Sequence, residues 1–61
     1  MAMTYLVSYA FDGGYGCEWC VFDHVPSIDN IDDRNNAINQ ILNSPKYKHN
    51  KPHNIYIVTF Y

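Results

Sequence analysis

The side chains best suited to chemistry in this 61-residue chain are thiols and imidazoles. Cys17 and Cys20 are its only cysteines and stand three positions apart, and His49 and His53 follow after a long gap. Thiolate sulfur and imidazole nitrogen are the ligands that zinc prefers, and two such pairs at short spacing are typical of structural zinc sites. The four residues therefore support one hypothesis, a small zinc-stabilised domain.

The sequence around the cysteines favours a β-strand instead. Trp19 between the cysteines and Val21 after them belong to residue types that are enriched in strands. Side chains in a strand alternate between two faces, so Cys17 and Cys20 should point to opposite sides and not share one ion. A redox-active pair would need a helix that starts beside it, which is missing. We predict two reduced thiols that pack as small hydrophobic side chains, without a cofactor, and Trp19 on the face of Cys17.

A basic loop, residues 46–54, is the second candidate site. Lys46, Lys48 and Lys51 surround Tyr47, and such a set can bind acidic protein surfaces, phosphates or single-stranded nucleic acid. The net charge of −2 disfavours nucleic acid and anionic membranes as partners. These four residues are therefore candidate contacts for a protein partner. The alternatives are a solvated loop without a binding role and nucleic-acid binding through residues 46–51.

Four elements must position these residues. Aromatic and β-branched residues predict strands at 4–11 and 17–25, joined by a glycine-rich turn at 12–16. A period near 3.6 residues predicts a helix over 27–43, and a last strand follows at 55–61. The order ββαβ predicts an α+β fold, in which a three-stranded antiparallel sheet of order 2-1-3 carries one helix on one face.

The predicted helix has an apolar side and an acidic start. The apolar side consists of Ile31, Ala37, Ile38, Ile41 and Leu42. Ser27 or Asp29 can cap the N-terminus, and Asp32 and Asp33 suit the positive end of the helix dipole. Asparagine fills the polar side, so we expect packing on the sheet to hold the helix more than propensity does.

Alternation predicts that both faces of the sheet are substantially apolar. In the first strand, one face carries Tyr5, Val7, Tyr9 and Phe11 and the other carries Leu6, Ser8 and Ala10, while in the last strand Ile55 and Ile57 oppose Tyr56, Val58 and Phe60. One short helix covers only one face, and a solvated face of an antiparallel sheet should be polar. We therefore predict that the second face binds a protein, either a second copy or another chain. Tyr5, Tyr9 and Phe11 are its candidate contacts.

Length, composition and missing motifs narrow the function classes. Residues 1–61 are sufficient for one small domain, and the 48% of apolar residues is typical of globular proteins. No signal-peptide pattern and no run near about 20 apolar residues is present, so we expect a cytoplasmic protein that does not bind membranes. Neither a phosphate-binding glycine motif nor a paired acid and base is evident, so we expect no enzymatic activity.

The whole pattern resembles a group of very small phage and prophage proteins. The segments that carry the likeness are "TYLVSYAF", the turn "GGYG", "SIDNIDD" and the final "IYIVTFY". Similar proteins begin with a Tyr-Phe-Val-Ser-Tyr-like strand and end on a strand of Val, Ile and aromatic residues. The Cys-Glu-Trp-Cys segment departs from them, since they carry glycine and aromatic residues there. The group has no assigned activity, so the resemblance implies a small accessory protein that binds a host or defence protein in the host cytoplasm.

Overall fold

The computed structural model describes residues 2–61 and places three strands in one sheet with a single long helix beside it. The elements are strand β1 (Met3–Phe11), strand β2 (Gly14–Phe22), helix α1 (Ile31–Leu42), a 3-10 turn (Pro45–Tyr47) and strand β3 (Tyr56–Phe60). The strands are antiparallel in the order β2-β1-β3. This confirms the predicted α+β fold and its strand order.

The hairpin between β1 and β2 is tighter than predicted. Phe11 pairs with Gly14, so only Asp12 and Gly13 form the turn, and β2 begins at residue 14 instead of 17. Gly13 has a φ of 102°, a conformation that glycine adopts at no steric cost. A positive φ at the second of the two turn residues alone is the pattern of a type II turn, which favours glycine there. The turn holds the two nine-residue strands in full register.

Helix α1 begins later than predicted, because its cap is neither Ser27 nor Asp29. The Asn30 side-chain oxygen accepts hydrogen bonds from the backbone N–H groups of Asp32 and Asp33, at 2.9 and 3.3 Å. An asparagine in extended conformation satisfies two of the free N–H groups at a helix start. Ile31, the first helical residue, is therefore 62% exposed and does not belong to the packed side of the helix.

The helix covers the face of the sheet that carries the β1 aromatic residues. Ala37 and Ile41 of α1 are fully buried against it, and Ile38 packs at its border. The buried hydrophobic residues are Val7, Tyr9, Cys20, Phe22, Ala37, Ile41 and Ile57. Val7 and Tyr9 of β1, and Cys20 and Phe22 of β2, are each two positions apart in their strand, as alternation requires.

A β-bulge in β3 changes the alternation near its end. Ser8 of β1 pairs with Thr59 and the next residue, Tyr9, pairs with Ile57, which leaves Val58 as the extra residue. Phe60 therefore returns to the core side, where its ring lies 5.5 Å from that of Phe22. The prediction that Phe60 shares a face with Tyr56 and Val58 is wrong for this reason.

Helix α1 is also tied to the outer edge of β2. The side-chain amide of Gln40 accepts a hydrogen bond from the Val21 N–H at 2.7 Å and donates one to the Val21 carbonyl at 2.8 Å. Both backbone groups on this edge of Val21 are thereby satisfied. The contact fixes the helix across the covered face and leaves the opposite face of the sheet without a covering element.

Candidate functional site

The candidate site is the sheet face opposite the helix, which we name the open face. It consists of Thr4, Leu6, Ser8, Ala10, Tyr15, Cys17, Trp19, Val21, Tyr56, Val58 and Thr59. Its aromatic side chains are well exposed, at 85% for Tyr15, 64% for Trp19 and 67% for Tyr56. None of the eleven residues is an acid, a lysine, an arginine or a histidine. The face is a contiguous uncharged surface with large apolar side chains in solvent.

The central strand gives the open face its shape. Ala10 pairs with Tyr15 on one side and with Tyr56 on the other. Ser8 pairs with Cys17, so two small side chains of β1 lie between larger residues of the flanking strands. Directly opposite side chains in a sheet stand about 5 Å apart. A shallow trough with aromatic walls therefore runs along this part of β1.

The predicted aromatic contacts lie on the other face. Tyr9 is fully buried, and Tyr5 and Phe11 are half-buried where they pack against the core. A buried Tyr9 cannot contact a partner, so its assignment to the binding surface is wrong. Alternation groups residues by face but does not state which face the helix covers. The sequence feature that could have identified the covered face is the pair Gly14 and Gly16, which lie opposite Phe11 and Tyr9. Glycines beside long aromatic side chains indicate the packed side of a sheet.

Two residues of the predicted basic loop close one end of the core. The Tyr9 and Tyr47 hydroxyl groups are hydrogen-bonded to each other, and burial raises the pKa of Tyr9 above its usual range. The Lys46 Nζ atom lies 5.9 and 5.2 Å from the centroids of these two rings, within cation–π range. It also lies 3.6 Å from the Glu18 carboxylate. Lys46 and Tyr47 are thus engaged within the fold.

The other two loop residues differ from each other. Lys51 Nζ donates a 2.6 Å hydrogen bond to the Leu42 carbonyl, one of the free acceptors at the helix C-terminus, where positive charge is favoured. Lys48 is exposed. Lysine contacts to nucleic acid depend on free ammonium groups, and the loop offers few of them. The geometry therefore gives the nucleic-acid alternative no support.

Comparison of the chain with known proteins adds no information about this site. No protein-family model, curated protein or solved structure matches the chain. The resemblance to small phage proteins stays a prediction. The remaining candidate residues are therefore assessed by their positions alone.

The two cysteines lie on opposite sides of β2, as predicted. Cys20 is buried in the core, where desolvation raises the pKa of its thiol to about 11, and Cys17 is exposed on the open face beside Trp19. His49 and His53 are exposed in the loop before β3. Among residues 2–61, no group of three or more histidine, cysteine, aspartate or glutamate side chains is arranged to hold a metal ion. The four residues of the zinc hypothesis do not form one site in this fold.

Sequence reasoning missed an ionic contact between β2 and the helix start. Asp33, the third residue of α1, is buried and accepts a 2.9 Å hydrogen bond from the Ser27 N–H. Its other carboxylate oxygen lies 2.5 Å from Nε2 of His24, whose Nδ1 lies 2.6 Å from the Asp23 carboxylate. Asp33 is more than a partner of the helix dipole, because it joins the end of β2 to α1. His24 and Asp33 lie in different segments of the chain, so no periodic pattern in the sequence predicted their contact.

The two carboxylates favour the protonated form of His24. Hydrogen bonds to Asp23 and then to Asp33 raise the pKa of His24 above its ordinary value. The Ser27 N–H and then His24 lower the pKa of Asp33, and His24 lowers that of Asp23. Both ring nitrogens of His24 already face carboxylates, so neither is free to accept a proton from a substrate. We assign this contact a structural role.

This contact predicts how stability depends on pH. The contribution of His24 should be complete below about pH 6.5, its ordinary pKa, and be lost as pH rises through the raised folded value. The contribution of Asp33 should be present above about pH 3.9 and be lost as pH falls through its lowered folded value. Urea unfolding from pH 3 to pH 8 should show a maximum between these limits. His24→Gln should abolish the loss between about pH 6.5 and pH 8, a range below the ordinary pKa of cysteine.

The control for this experiment is His49→Gln, since His49 is exposed in the loop. This variant should retain the pH profile of the unaltered chain. Identical alkaline limbs for the unaltered chain and His24→Gln would contradict the assigned contact.

Proposed function

We propose that this chain is a small, non-enzymatic protein-binding module whose open face contacts another protein. The observation that carries the proposal is the composition of that face, in which Tyr15, Trp19 and Tyr56 are exposed among uncharged neighbours. Monomeric soluble proteins rarely expose large contiguous apolar patches unless they bind something. The face thus acts as a recognition surface.

The partner surface is apolar and largely uncharged at its centre. Tryptophan and tyrosine are the residues that most often dominate the binding energy of protein interfaces. The open face has no basic side chain for a phosphate backbone and no acidic side chain for a basic patch. A protein surface with small apolar side chains fits this chemistry better than a charged polymer does.

Other side chains support a role without catalysis. Cys20 is buried, and the two nitrogens of His24 are occupied by carboxylates. In the described part of the chain, no helix has the length and apolar character needed to cross a membrane. The proposed setting is the cytoplasm, and the resemblance to phage proteins suggests the cytoplasm of a bacterial host. An accessory protein that binds a host or defence protein is consistent with all of these features.

A comparative pull-down tests the proposal. The tagged chain, its Trp19→Ser variant and its Asn39→Ser variant are incubated with a lysate of the cells in which the protein occurs. Asn39 is exposed on the helix, so it is a matched control on the opposite side of the molecule. Loss of an interface tryptophan costs about 2 kcal/mol or more, a roughly 30-fold loss of affinity. Trp19→Ser should therefore lose a protein that the other two chains retain.

The result that contradicts the proposal is equally specific. It is wrong if the open face binds neither a foreign protein nor a second copy of the chain. Retention of the same proteins by all three chains would place binding elsewhere on the molecule. Circular dichroism of each variant confirms that it is folded before the comparison is made.

A further inference from the structure

We propose that a second copy of the chain packs face to face on the open face, as a two-sheet sandwich. This inference rests on the proposed function and names its partner. The first argument is charge. Two copies of a face without charged side chains meet without the like-charge repulsion that opposes most self-association. The neighbouring Glu18 lies on the covered face, away from the contact.

The second argument is shape. Ser8 and Ala10 form the floor of the trough, and Tyr15 and Tyr56 form its walls. Sheets that pack face to face are about 10 Å apart, and their inner side chains interdigitate. The large side chains of one copy can fill the trough of the other, and the reverse contact follows from two-fold symmetry. The face is therefore complementary to itself in both charge and size.

The third argument concerns the missing layer. A sheet normally buries both faces or leaves one face polar. The single long helix within residues 2–61 covers one face here. The open face carries Trp19 and Val58 where a solvated sheet would carry polar residues. The sheet and the helix of a second copy add two layers to the helix and sheet of the first. The result is an arrangement of helix, sheet, sheet and helix.

The size of the face sets the expected strength. A nine-residue strand is roughly 30 Å long, and three strands are roughly 14 Å wide, which gives a footprint of roughly 400 Å² per copy. Stable interfaces bury about 800 Å² per partner. We therefore expect a reversible dimer with a dissociation constant in the micromolar range rather than a permanent one.

The dimer places useful reporters at its centre. Cys17 lies beside Ser8, close to the middle of the β1–β2 ladder, and it is the exposed cysteine of the chain. Trp19 is the only tryptophan, so its fluorescence reports burial of the open face directly. Cys20 is buried in the core and serves as the internal control for thiol reagents.

The experiment combines sedimentation velocity with fluorescence and cross-linking, from about 1 μM to about 1 mM protein. We expect the mass to double with concentration. We also expect Trp19 emission to shift to shorter wavelength and a short bis-maleimide to join two copies. Cross-linking should disappear in Cys17→Ser and persist in Cys20→Ser. Trp19→Ser removes the tryptophan from both copies and should weaken the dimer by roughly 30-fold or more, and Asn39→Ser should leave it unchanged.

A second variant keeps the inference testable if Trp19→Ser fails to fold. Tyr56→Lys adds a positive charge at an exposed position of the open face in both copies, and it should also yield monomers. The inference is overturned if the chain is strictly monomeric at 1 mM. It is also overturned if neither substitution weakens the dimer. Neither result decides the proposed function. That proposal stands if the pull-down shows that Trp19→Ser loses a foreign protein.

Discussion

Replacement of Phe22 by alanine is expected to lower the free energy of unfolding by about 3–5 kcal/mol. Phe22 is 2% exposed at the end of β2. Its ring contacts those of Tyr5 and Phe60 edge to face, with centroids 6.1 and 5.5 Å apart. Truncation removes these contacts and leaves a cavity beside Tyr5 of β1 and Phe60 of β3. These two strands pack poorly when the Phe22 ring is missing. A domain of this length is stable by roughly 3–9 kcal/mol, so at the middle of that range the substitution removes half or more of the stability.

The matched control is the next residue on the strand. Val21→Ala truncates a side chain on the open face that is half exposed, and its backbone bonds to Gln40 remain. We expect it to cost less than about 1 kcal/mol. Urea unfolding followed by far-ultraviolet circular dichroism compares the two. Equal losses for Phe22→Ala and Val21→Ala would mean that the core has been placed on the wrong side of β2.

Replacement of Gly16 by alanine should have the second largest effect, about 1–3 kcal/mol of destabilisation. A Cβ atom added at Gly16 would lie 2.7 Å from both Cζ and the hydroxyl oxygen of Tyr9. That ring has no room to move, because it is fully buried and its hydroxyl is bonded to Tyr47. Thermal or urea unfolding measures the loss directly. Trp19 emission monitors the same strand from its other side.

The control is Gly14→Ala, two residues earlier on the same face of β2. There the nearest atom to an added Cβ is Cζ of Phe11, at an ordinary contact distance of 3.7 Å. Neither glycine has a positive φ, so backbone strain does not contribute. Gly14→Ala should be neutral or slightly stabilising, since alanine restricts the unfolded chain. If both substitutions behave alike, the close approach of Tyr9 to Gly16 is not present in solution.

The strands that carry these two pairs of variants could be predicted from the sequence, although the side of each strand that faces the core could not. Period-two alternation in "TYLVSYAF" and a 3.6-residue period before Leu42 identify the elements and, through their order, the β2-β1-β3 topology. Alternation also places Cys17 and Cys20 on opposite faces, because it depends only on local geometry. Properties of this kind follow from residues that are neighbours in the chain.

The features that sequence did not predict depend on contacts between distant residues. The choice of covered face depends on whether the helix packs on Tyr9 or on Trp19, and both rings are large and apolar. The bulge at Val58 reverses the side of Phe60, which no alternating pattern can show. The loop lysines were predicted to face a partner or solvent, yet Lys46 lies against tyrosine rings. The contacts of long flexible side chains depend on the tertiary structure and not on the residues next to them in the chain.

The double hydrogen bond between Gln40 and Val21 limits how large an assembly this chain can build. An uncovered edge strand is a template for pairing with further chains, which leads to open-ended aggregation. The Gln40 amide already occupies the position that a foreign strand would take at Val21. The edge strand on the other side, β3, is five residues long and kinked by its bulge. Growth along the sheet is therefore discouraged at both edges, and the proposed association across the open faces would end at two copies instead of extending into a fibre.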